Sequence, residues 1–132
     1  MDRTQLTTLL YVDDEPDIRE IVEMALGLVD NLNVSTCASG ELALREIPTL
    51  RPDLVLLDVM MPVMDGPTAL GRMRADAALA AIPVIFVTAK AMPNEIAHFC
   101  QLGAAGVIAK PFDPMQLGQQ VLTIWERIRS VA

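Results

Sequence analysis

Leu54 to Asp58 reads Leu-Val-Leu-Leu-Asp, a short apolar run without polar alternation that stops abruptly on a carboxylate. A strand of this kind is buried on both faces of its sheet, the pattern of parallel sheets that carry helices on either side. The chain must therefore supply amphipathic helices for two faces. Beyond Asp58, Pro62 cannot continue a ladder and Asp65-Gly66 is a turn or helix-start pair, so residues 59 to 64 read as a loop rich in methionine.

The remaining segments meet that demand in order. Thr8 to Val12 is a first apolar strand, ending in Asp13-Asp14-Glu15. Pro16 suits the first turn of a helix, which Asp14 or Glu15 is placed to cap, and Ile18, Ile21, Val22, Ala25, Leu26 and Val29 recur at helical spacing. Asp30-Asn31 breaks that helix, and Asn33 to Cys37 is the second strand. Ser39 caps a short helix over Gly40 to Ile47, and Pro48 and Pro52 bracket a loop before the third strand. A helix over Thr68 to Ala75 follows. Residues 76 to 81 suit either a helix or a loop with a short turn. Ile82 to Val87 is the fourth strand, ending at Thr88, and Asn94 caps a helix through Leu102. Gly106 to Ala109 is the fifth strand, and Asp113-Pro114 opens a last helix through Ile128.

Five strands alternating with five helices across short connections predict an α/β fold, a three-layer, doubly wound, mostly parallel sheet. The 132 residues suffice for one domain with a single core. Residues 1–132 carry no linker or repeat, and the core is expected over about 7–128. Ten basic against 17 acidic residues, a net charge of −7, disfavour binding of nucleic acid by this domain. Cys37 and Cys100 lack metal-ligand spacing and sit in apolar surroundings, which points to free thiols in a reducing, cytoplasmic setting. The first residues contain neither a signal peptide nor a membrane span.

In a parallel sheet the residues just past each strand gather at one edge, where open α/β sheets bind ligands. Here they are Asp13 and Asp14, Asp58, Thr88 and Lys110. Three carboxylates in one place repel one another unless a cation sits among them. An oxygen-only cluster without His or Cys suits Mg²⁺. Lys110 adds a point charge, Thr88 a hydroxyl, and Asp58 a carboxylate nucleophile able to form an acyl phosphate. The bland alternative is a partly buried salt bridge from Lys110 to Asp58 or Asp14, which leaves the acidic pair unexplained.

Four motifs in this order, LLYVDDEP, LVLLDVMMPVMDG, VIFVTAK and GVIAKPF, resemble the receiver domain of two-component response regulators over roughly residues 7 to 128. The resemblance implies a CheY-like (βα)5 fold with strand order 2-1-3-4-5. It implies that Asp58 accepts a phosphoryl group from a phosphohistidine on a sensor histidine kinase or a histidine phosphotransfer protein. Asp14, Asp58 and the Met60 carbonyl would bind Mg²⁺ directly, with Mn²⁺ as a substitute, while Asp13 acts largely through water. Lys110 would contact the phosphoryl group and Asp58, and Thr88 would move toward it. The Lys110-Pro111 bond would be cis. The output would be a change on the surface of the fourth helix, fifth strand and fifth helix, read by a downstream target or a further domain, with the domain monomeric or a weak dimer through that surface. Such a protein promotes its own phosphorylation and dephosphorylation but is a switch rather than a turnover enzyme.

One position departs from the family pattern. Val107 stands three residues before the lysine, where the family carries Tyr or Phe as the partner of the threonine, and Phe86 is a conceivable substitute. Met60 and Lys90, two residues after Asp58 and Thr88, are expected to tune phosphoryl lifetime. His98 reads as an exposed helix residue, and Trp125 as a rim residue of the last helix open to a partner surface or to packing. Two other functions remain in view. A Mg²⁺-dependent phosphatase with an aspartate nucleophile would need a second Asp where Met60 stands. A non-phosphorylated interaction module would have lost at least one of the five polar residues, and all are present.

Overall fold

The computed structural model describes residues 5–130; residues 1–4 and 131–132, included in the domain by the sequence reading, lie outside the described residues. The elements run β1 (Thr8–Val12), α1 (Pro16–Leu26), β2 (Asn33–Cys37), α2 (Gly40–Leu50), β3 (Leu54–Asp58), α3 (Gly66–Ala75), β4 (Val84–Thr88), α4 (Pro93–Gln101), β5 (Gly106–Ala109) and α5 (Pro114–Ser130). All pairings are parallel and the sheet order is β2-β1-β3-β4-β5. The expected doubly wound (βα)5 architecture is the one observed. The registers Val12↔Leu57, Asp58↔Val87 and Thr88↔Ala109 bring the carboxyl ends of four strands level.

Period-two alternation sorts side chains between two cores. Leu10, Val12, Val55, Leu57, Val84 and Phe86 meet α2, α3 and α4 on one face. Leu9, Tyr11, Leu54, Leu56, Ile85, Val87 and Ile108 meet α1 and α5 on the other. β3 and β4 are buried at every position, as a central strand without alternation requires.

Several boundaries differ from expectation. α1 ends at Leu26 rather than Val29, because Gly27 and the turn after it close back on Glu23 and Ala25. Its N-cap is Glu15, but the Glu15 side chain makes no capping bond. α2 continues through Pro48 to Leu50: Ile47 and Leu50 pack on the core, and Arg51, in the left-handed region, returns its N–H to the Ile47 carbonyl at 2.8 Å. Core packing there outweighs the one backbone hydrogen bond that proline forfeits. α3 begins at Gly66, capped by the Asp65 carboxylate on the Thr68 N–H at 2.9 Å. Residues 76–81 form turns, and β4 starts at Val84, after Pro83. α4 starts at Pro93 rather than after an Asn94 cap, with Glu95 accepting from the Met92 N–H at 3.0 Å.

Candidate functional site

Asp13, Asp14 and Asp58 converge at the carboxyl edge of the sheet, each offering one oxygen within 4.8 Å of the others. The convergence follows from register: Asp13 and Asp14 lie just past Val12, which pairs with Leu57, the residue before Asp58. Asp13 is fully buried, Asp58 is 3% exposed, and Asp14 is half-buried. The Lys110 ammonium reaches Asp13 Oδ2 at 2.9 Å and Asp58 Oδ1 at 3.3 Å, so its carboxylate partners are Asp13 and Asp58 rather than Asp14. The Lys110-Pro111 peptide is cis, as the resemblance implied. Thr88 is buried, and its hydroxyl accepts the Lys90 N–H at 3.0 Å, which leaves the hydroxyl proton to donate.

The electrostatics show a site with surplus negative charge. Burial first, and the Asp13 carboxylate second, push the Asp58 carboxyl up to about 6 from its ordinary 3.8, against the opposing pull of Lys110. Burial alone lowers the Lys110 ammonium, but Asp13 and Asp58 outweigh it and shift the group upward. One lysine thus compensates only part of the carboxylate charge. Three carboxylates with no imidazole or thiolate among them form a hard-oxygen donor set, and that set fits a hard divalent cation.

Residues not singled out from the sequence complete the site. The Tyr11 hydroxyl donates to Asp13 Oδ2 at 2.6 Å, the Glu15 N–H to Asp13 Oδ1 at 3.0 Å, and Arg19 Nη1 to the Asp13 carbonyl at 2.9 Å. A signal for Tyr11 was present: two residues before Asp13 on one strand, it shares that residue's face. Arg19 had none, since its reach back from α1 is a tertiary matter.

The remaining expected residues take varied places. Met60 is 66% exposed at the mouth of the site, with no proton to transfer. Lys90 is exposed. Val107 is half-buried against the α2-α3-α4 core, opposite Phe86 in register. Phe86 is fully buried and packs edge-to-face on Phe99 at 5.2 Å, so it is a core residue. Trp125 is 6% exposed, within the core beneath α5. His98 is exposed. Cys37 is buried, as expected, and burial together with the Glu46 carboxylate at 3.0 Å pushes its thiol up to about 12. Cys100 is exposed rather than in apolar surroundings, because α4 turns it outward from Phe99.

The model of the response regulator receiver domain matches residues 9–122. The chain belongs to this family. Among curated relatives, the receiver is 37% identical over 110 residues to response regulator Rre1 of Synechocystis sp., covering 83% of this chain and 48% of that protein. It is 33% identical over 118 residues to the DNA-binding response regulator MtrA of Mycolicibacterium smegmatis, covering 89% and 50%. Among solved structures it resembles the chemotaxis response regulator CheY4 of Vibrio cholerae, with a TM-score of 0.82 at 29% identity over 91% of this chain and 99% of that one. A putative response regulator from Chloroflexus aurantiacus gives 0.80 at 33% identity, covering 92% and 98%. The receiver spans about half the length of the curated relatives it matches. No helix among the described residues is long and apolar enough to cross a membrane.

Proposed function

We propose that Asp58 is the phosphoacceptor of this receiver, taking a phosphoryl group from a phosphohistidine of a histidine kinase or phosphotransfer protein. The observation that carries this is the meeting of Asp13, Asp14 and Asp58 within 4.8 Å, with the Lys110 ammonium on two of them. Asp14, Asp58 and the Met60 carbonyl would hold Mg²⁺ directly and Asp13 largely through water, and the ion would supply neutralisation of phosphoryl charge when bound. Asp58 attacks phosphorus as its carboxylate, the N–P bond to the donor imidazole breaks and an O–P bond forms. Lys110 then has the phosphoryl oxygens as partners, and the Thr88 hydroxyl, at the end of the adjacent strand, has an acceptor for its free proton. A groove of about 350 Å³ beside Lys110, lined by Ile18, Ile21, Ala89 and Phe112, offers apolar surface next to the acceptor for the donor protein.

Incubation with acetyl phosphate and Mg²⁺, followed by intact mass, tests the assignment. One phosphoryl group is expected on the unaltered chain and none on Asp58→Asn. Phosphoryl gain by Asp58→Asn, or none by the unaltered chain, overturns it. The downstream partner of this receiver is a protein target or a further domain acting through the α4, β5 and α5 surface.

A further inference from the structure

Tyr11 lies beneath the acceptor site. It is fully buried on the α1 and α5 face among Leu9, Leu56 and Val87, and its hydroxyl crosses to the site edge to meet Asp13 Oδ2 at 2.6 Å. That oxygen also accepts Lys110 Nζ at 2.9 Å, while Oδ1 takes the Glu15 N–H at 3.0 Å. The carboxylate of Asp13 is thus held from both oxygens, and Tyr11 approaches from beneath, on the side of the core.

We infer that Tyr11 is a positioning residue for the divalent cation, fixing the Asp13 carboxylate in the orientation that binding requires. The inference rests on the cation reading given under Proposed function. Mg²⁺ demands near-ideal octahedral geometry and gives up its waters reluctantly, so an Asp13 carboxylate free to rotate about its last torsion holds the ion's waters less well in place. Without the hydroxyl, the remaining side-chain donor to Oδ2 is Lys110, which is shared with Asp58 and swings the carboxylate toward the ammonium. The hydrogen bond also withdraws some charge from Oδ2, which favours the opposite outcome. Orientation dominates because outer partners of metal ligands are typically worth 10–100-fold in affinity.

Tyr11 is the single tyrosine of the chain, so its ring carbon bearing the hydroxyl gives one resonance in a tyrosine-labelled sample. Mg²⁺ titration of the full chain is expected to move that signal with the same midpoint as the Asp14 amide. Tyr11→Phe, which keeps the ring and removes one oxygen, is expected to raise the midpoint about tenfold. Its phosphorylation rate by acetyl phosphate at saturating Mg²⁺ is expected to stay within about twofold of the unaltered chain. An unmoved ring signal while the Asp14 amide saturates, or an unchanged midpoint in Tyr11→Phe, overturns the positioning role alone. A lowered plateau rate at an unchanged midpoint does the same, since it places Tyr11 in the transfer step. No Mg²⁺ response in the unaltered chain overturns the cation reading and this inference with it.

Discussion

Among single residues, Asp58 carries the largest conflict. Its carboxyl is pushed up to about 6 by burial and by Asp13, so between about 4 and 6 the folded chain holds a proton that the unfolded chain has released. Stability without divalent cation therefore falls as pH rises through that window and levels above it. The rise in carboxyl affinity for protons persists despite Lys110, so the ionised form is the disfavoured one even when paired. Asp58→Asn, a neutral isostere, is expected to raise unfolding free energy at pH 7 by roughly 1–3 kcal/mol and to flatten the dependence between pH 4 and 6. Urea unfolding across that range checks both; an Asn variant less stable than the parent contradicts the sign. Met60 works on a different quantity. Exposed at the mouth, it offers no polar group that could orient an attacking water. Met60→Asn is expected to speed loss of the phosphoryl group by roughly fivefold, from the advantage of an oriented water. Decay followed by intact mass after removal of acetyl phosphate provides the measure.

At the scale of elements, the loop from Val59 to Asp65 holds the acceptor strand to α3 under strain. Val63 sits at φ 68°, and the Met64 N–H closes on the Pro62 carbonyl at 2.7 Å, a three-residue turn through a conformation that a β-branched residue rarely adopts. Its side chain is 92% exposed, so little packing is lost on truncation. Val63→Gly is expected to stabilise the fold by about 1 kcal/mol, strain relief exceeding the entropy cost of glycine. Gly66 is the opposite case. A Cβ there meets the Asp58 carbonyl oxygen at 2.7 Å and the Val59 Cα at 2.9 Å, and backbone cannot yield as a side chain does. Gly66→Ala is expected to cost roughly 2 kcal/mol by overpacking and to displace the Asp58 carbonyl. Thermal unfolding of the two variants should move in opposite directions.

For the whole molecule, the question is how charge at Asp58 reaches a distant surface. Thr88 ends the strand beside it and accepts from Lys90, so movement of the hydroxyl pulls the chain leading into α4. Val107 has no ring to swing inward and Phe86 packs edge-to-face on Phe99, so on the proposed assignment of Asp58 the backbone of residues 88–93 is expected to carry the change. Beryllofluoride with Mg²⁺ is expected to shift the amides from Lys90 to His98. Unchanged amides across that stretch would remove this route.

The fold was legible because its dominant signal is local. Non-alternating runs such as Leu54 to Leu57 demand two-sided cover, and the strand-end residues Asp13, Asp14, Asp58, Thr88 and Lys110 stand in plain order along the chain. Strand order came with the family motifs. Boundaries were less legible where a tertiary contact outweighed a local preference, as at Pro48, which Ile47 and Leu50 keep helical by packing.

The chain by itself determined which residue types stand at the sheet edge, since alternation and strand length require no partner to be read. Only the folded molecule decided that Lys110 binds Asp13 rather than Asp14, that Tyr11 and Arg19 brace the same aspartate, and that Phe86 is buried against Phe99. Those outcomes depend on directions and distances between segments far apart in sequence, and pairwise electrostatics and packing acquire values only once the register has set them.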